Sequence, residues 1–172
     1  MLSLNEVEAT LVKAARGAGL PLGVAEDFAR FAAYLVATQR GAGAITRALA
    51  EDHATPAIDW DADIPRIGSG SAAMVAPMVV DAFAMGHDAV ILDNWAQAEI
   101  TGAALACHGI AMRWDGLCVS RSDTEVLPRP TGPVSVPEAD WQAWQSLAAR
   151  TYVPESAASR SKGAGAGLTD ND

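Results

Sequence analysis

The N-terminal third constrains the fold more than any other part of this chain, because it carries an apolar pattern of helical period with its own start and stop signals. Ser3-Leu-Asn-Glu6 is a capping box, in which the serine and glutamate side chains satisfy amides that a first helical turn leaves without partners. Leu2 and Val7 fall at the flanking staple positions. Leu4, Val7, Leu11, Ala15 and Ala18 then recur at helical spacing, and Gly17, Gly19 and Pro21 supply the stop. A second helix from Pro21 places Val24, Phe28, Phe31 and Leu35 on one face, turns Glu26, Asp27 and Arg30 elsewhere, and ends near Gly41. The short link between the two predicts an antiparallel helical hairpin. A third helix over Ala44 to Glu51 uses Ile45, Ala48 and Leu49.

Periodicity disappears between His53 and Ser71, where Pro56, Pro65, Gly68 and Gly70 mark a long loop and a candidate internal boundary. A helix over Met74 to Met85 requires Pro77 to lie in its first turn, where its missing N–H costs nothing. Asp88 to Asp93 is a short β-rich run, and Asn94 with Gln97 caps a helix through about Cys107. Ile110, Met112 and Trp114 alternate with other residues, Asp115-Gly116 supplies a type I′ turn signal, and Leu117 and Val119 resume the alternation, which predicts a hairpin. Thr124 to Leu127 adds an edge strand before the Pro-rich stretch Pro128 to Pro137. Ser135 and Glu138 form a second capping box, and Trp141, Trp144 and Leu147 define the apolar face of a last helix ending near Arg150.

This order reads as α+β: an N-terminal helical hairpin plus a third helix, a small mixed sheet with one β-hairpin, a C-terminal helix and an extended Gly-rich tail. Residues 1–151 form one globular domain and 152–172 the tail. At 172 residues the chain is long enough to bury roughly 70% of its unfolded surface. Half the residues are hydrophobic and only 6% aromatic, which favours closely packed small-residue helices.

The formal net charge of −9, with no basic cluster to offset it, argues against nucleic acid as a partner. No apolar run is long enough to cross a membrane, and the N-terminus has neither a basic nor an apolar leader region, so a cytoplasmic protein is expected. Cys107 and Cys118 lack CxxC spacing and read as small buried hydrophobes.

Motifs that imitate chemistry fall short of it. Asp59-Trp-Asp61-Ala-Asp63 resembles the opening of a calcium loop, but Ile64 stands where the loop needs glycine and Gly70 where it needs glutamate. Gly68-Ser-Gly-Ser71 precedes a helix and reads as its N-cap, since no Gly-Lys-Ser/Thr follows. His53, His87 and His108 show no metal-ligand spacing, so no metal is expected, and nothing in the sequence names a cofactor. There is no GxSxG elbow for a nucleophilic serine.

The densest set of functional residue types is the tail: Tyr152, Glu155, Ser159 and Arg160, then Gly163, Gly165 and Gly167, then Asp170, Asn171 and Asp172. Its last ten residues reach about 30 Å when extended, against a radius of gyration of about 15 Å for a domain of this length. The tail therefore spans its own domain or enters a neighbour. Glycines allow close backbone approach, and the terminal carboxylates want donors, for which Lys13 and Arg16, one helical turn apart, are the candidates.

Ser3-Leu-Asn-Glu-Val-Glu-Ala9 with Lys13-Ala-Ala-Arg-Gly-Ala-Gly19, Arg113-Trp-Asp-Gly116, and Arg150-Thr-Tyr-Val-Pro-Glu155 with Ser159-Arg160 and Gly163 to Asp172 resemble a bacterial family catalogued as domain of unknown function 3726. The resemblance implies a small bacterial cytoplasmic protein and makes the tail part of what identifies it. It brings no activity, cofactor or catalytic residue. The expectation is a binding or accessory subunit whose tail docks at its own or a partner's site, the partner being a protein, a second copy, or a small anionic or polar metabolite. The alternative is a small metabolic enzyme in which Glu155, Arg160 and Asp170 supply acid-base and anion-binding groups beside the helical hairpin.

Overall fold

The computed structural model describes residues 1–94, 98–126 and 128–152. Helix α1 spans Leu4–Gly17, and Ser3 Oγ accepts the Glu6 N–H at 3.1 Å as its N-cap. Its face of Val7, Leu11, Ala14 and Ala15 is fully buried. Helix α2, Leu22–Ala37, buries Phe28, Phe31 and Leu35, and α3, Ala42–Ala50, buries Ile45, Ala48 and Leu49. The expected hairpin is present, with α1 packed against α2 on one side and against the last helix, α6 (Glu138–Ala149), on the other.

Gly17 does more than stop α1. It lies inside the helix where α6 crosses, and a methyl group there would run into the carbonyl of Leu147. Small residues thus let the two backbones meet, which is the packing that the alanine-rich composition favours. A second tie was not legible in any pattern: Leu2 and Val134 exchange backbone hydrogen bonds of 2.9 and 2.8 Å, pinning the N-terminus to the stretch before α6.

The segment read as a loop contains two short strands, β1 (Ile58–Asp59) and β2 (Arg66–Ile67). With β3 (Ala89–Leu92), β4 (Met112–Asp115) and β5 (Cys118–Arg121) they make a mixed sheet in the order β1-β2-β3-β5-β4, in which only β2 and β3 run parallel. Helix α4, Ala72–Ala84, is the crossover between those parallel strands. It begins earlier than its apolar run suggests, so Pro77 lies in the second turn instead of the first, and one intrahelical bond is missing there. Burial of Met74, Val75, Val79, Val80 and Phe83 holds the helix across that gap.

Helix α5, Ala98–Cys107, packs on both α2 and α4, and one cluster of buried residues runs from Val7 to Trp144. The hairpin loop is Gly116-Leu117, because Asp115 pairs with Cys118. Gly116 has φ +58° and Leu117 does not share the left-handed region, so the turn has the first-residue pattern of type II′ in place of the expected I′. Residues 124–126 form no strand, and Leu127 lies outside the described residues. The second capping box is also absent: Pro137 takes the N-cap position of α6 and no side chain caps it. Among the proposed caps of α5, Gln97 lies outside the described residues.

Candidate functional site

Lys13 and Arg16 stand exposed on the last turns of α1, where cations complement the negative end of the helix dipole. Among the described residues neither enters an ion pair. Leu147 of α6 abuts Gly17, and after the helix ends the chain turns back along α1 until Tyr152 meets Lys13, four residues earlier. The Lys13 ammonium sits 5.8 Å from the Tyr152 ring centroid, within the range of a cation–π contact. Tyr152 itself is 64% exposed, so the ring is held from one side only. The structure therefore joins two of the expected docking residues, Lys13 and Tyr152, while Arg16 stands one turn on along α1. Glu155, Ser159, Arg160, Gly163, Gly165, Gly167, Asp170, Asn171 and Asp172 lie outside the described residues.

A second concavity lies at the carboxyl ends of the parallel strands, where Ser69, Gly70 and Ser71 lead into α4. Ser71 occupies the N-cap position as expected, but its hydroxyl is 3.0 Å from His53 Nδ1 and makes no cap bond. Only 2% of Ser71 is exposed, and its hydroxyl ties the loop to His53. Burial lowers the His53 pKa below the ordinary imidazole value, against the opposite pull of Asp52, Glu51 and the Leu49 carbonyl. Glu51 and Asp52 line this concavity and make it a poor place for an anion despite the helix start beside it.

The histidines go separate ways. His87 stacks on Trp60 with centroids 6.0 Å apart, and His108 meets the edge of Phe31 at 6.1 Å. Among the described residues no three of His, Cys, Asp and Glu come together as metal ligands.

A third cavity, of about 300 Å³, opens between α2, the end of α5 and the Pro-rich stretch. Arg30 and Tyr34, one turn apart on α2, line it together with Cys107 and Arg129. Burial pushes the Cys107 thiol up to about 11, while Arg129 and Arg30 pull it the other way and Glu8 adds to the rise. Both guanidinium groups are therefore close enough to feel this thiol. Tyr34 is raised too, mainly by burial and then by Cys107. Both cysteines are half-buried, which corrects the expectation of core positions: Cys107 closes α5 and Cys118 opens β5, and element ends leave one side open.

Fold and surface together define an α+β fold in which helices pack on a mixed sheet and α1 presents exposed cations. Residues 2–58, covering α1 to α3 and the start of β1, match the family described as Protein of unknown function (DUF3726), the family the sequence resembles. The hairpin and tail motifs lie beyond the matched range. No curated protein and no solved structure matches the chain, and no described helix is long and apolar enough to cross a membrane.

Proposed function

We propose that this chain is a binding or accessory module whose C-terminal segment docks along the cationic edge of α1, in its own domain or in a partner subunit. The observation that carries the reading is the Lys13–Tyr152 contact, which brings the chain after α6 to α1, where Lys13 and Arg16 enter no ion pair among the described residues. From there the glycines allow close approach, and the carboxylates of Asp170 and Asp172 complement Lys13 and Arg16. An enzyme reading gains no observation of its own, since its candidate groups all lie outside the described residues.

Removing Gly163 to Asp172 tests the proposal. Amide hydrogen exchange along Lys13 to Ala18 is expected to speed up, or the oligomeric state to change, with the melting temperature of the domain retained. Identical exchange and identical oligomeric state in the two chains would overturn it.

A further inference from the structure

We infer that the cavity between α2, α5 and the Pro-rich stretch is a binding site for a small organic oxyanion, a carboxylate or phosphate monoester with a compact apolar body. Two guanidinium groups, Arg30 of α2 and Arg129 of the Pro-rich stretch, line it, and among the described residues no carboxylate does. Each arginine also has an acidic partner that does not line the cavity. Asp27 holds Arg30 at 3.5 Å, one turn earlier on an exposed helix face, and Glu8 holds Arg129 Nη2 at 3.2 Å. Such pairs orient a guanidinium without consuming its fork of five donors.

Arg129 Nε is the decisive atom. It is buried and has no hydrogen-bond partner among the described residues, although a buried donor is ordinarily satisfied. A charged donor left in that state is one that an oxyanion entering the cavity would satisfy, beside the Nη2 that Glu8 already holds.

The rest of the lining sets the body of the ligand. Val126, Pro128 and the half-buried ring of Tyr34 give an apolar wall, and Cys107, kept protonated by burial, adds no negative charge. A volume of about 300 Å³ is at the low end for small-molecule sites, so the apolar part must be compact. The site is independent of where the C-terminal segment docks, since neither Lys13 nor Arg16 lines it.

The full-length chain labelled with nitrogen-15 reports binding at the Arg129 Nε–H resonance. Inorganic phosphate, benzoate and phenyl phosphate at constant ionic strength are the probes. Phenyl phosphate is expected to shift that resonance saturably and at lower concentration than inorganic phosphate. Arg30→Gln, which leaves the Glu8–Arg129 pair intact, should weaken phenyl phosphate about tenfold or more with an unchanged melting temperature. Arg129→Lys, which keeps a charge for Glu8 but loses the fork, should do the same when binding is followed at the Arg30 Nε–H resonance instead. No shift with any probe at tens of millimolar, or binding by Arg30→Gln as tight as that of the natural chain, overturns the site. Phenyl phosphate binding no tighter than inorganic phosphate overturns the apolar body.

Discussion

The indole Nε1 of Trp144 donates to Thr46 Oγ1 at 2.9 Å, joining α6 to α3 across 98 residues of sequence. Thr46 Oγ1 in turn lies 2.6 Å from Asp140 Oδ1, so its proton has an acceptor while its lone pair serves the fully buried tryptophan. Thr46→Val keeps the shape and removes that acceptor. It should destabilise the domain by about 1–3 kcal/mol, the cost of stranding a buried donor. Urea unfolding checks this, and Thr46→Ser should recover most of the loss. A valine variant as stable as the natural chain would show that the bond contributes nothing.

Two glycines on neighbouring helices should respond to alanine with opposite sign. Gly17→Ala puts a methyl group into the Leu147 carbonyl and should cost about 1–3 kcal/mol through overpacking. Gly23, in the first turn of α2, has open space around it and an ordinary backbone angle, so Gly23→Ala should stabilise by about 0.5–1 kcal/mol. Thermal melts of the two single variants decide it; a shift in the same direction for both contradicts the packing described.

How much of this was legible depends on how local each determinant is. The α1 cap was readable because Ser3 and Glu6 meet within one turn, and the core faces of α1 to α3 because Val7, Phe28 and Ile45 recur with their helices. Strands β1 and β2 were not, since two residues each show no period and Pro65 and Gly68 beside them signal a loop. Ser135 and Glu138 misled because Pro137 fixes the entry to α6 before any side chain caps it. Lys13, Arg16 and Tyr152 were singled out on residue type, and the meeting of Lys13 with Tyr152 needed the chain to turn back after α6. Arg129 drew no notice, and Arg30 was noted only as facing away from the apolar side of α2. They come from elements far apart in sequence, and no spacing rule records a cavity that α2, α5 and the Pro-rich stretch make together.

Cys107 should be a slow nucleophile at neutral pH. Its thiol is pushed up from 9.0 to about 11, so at pH 8 alkylation by iodoacetamide should run at least about tenfold slower than for free cysteine, because only the thiolate reacts. The rate should climb as pH approaches 11. The sign for stability follows: the fold favours the neutral thiol, so its contribution is complete below 9.0 and is lost as pH rises toward 11. Cys107→Ala should flatten that alkaline loss. Alkylation at pH 8 as fast as that of free cysteine would rule out the burial invoked here.

His53 predicts the opposite limb. Desolvation lowers its folded-state pKa, so as pH falls through the ordinary value of 6.5 the unfolded chain takes up the proton first. Its contribution to stability is therefore complete above 6.5 and declines on acidification. Urea midpoints of the natural chain and His53→Gln measured across this range should converge as the pH drops. Parallel curves would mean that the His53–Ser71 contact carries no such linkage.

The packing of α1 between α2 and α6 has a consequence for a ribosome. Helix α1 finds α2 as soon as the hairpin emerges, but the groove around Gly17 waits for α6, which follows after residues 18–137 have been made. At 5–20 residues per second that interval is roughly 6–24 s. During it the nascent chain carries an open helix face of small and aliphatic residues, closed only when Leu147 arrives.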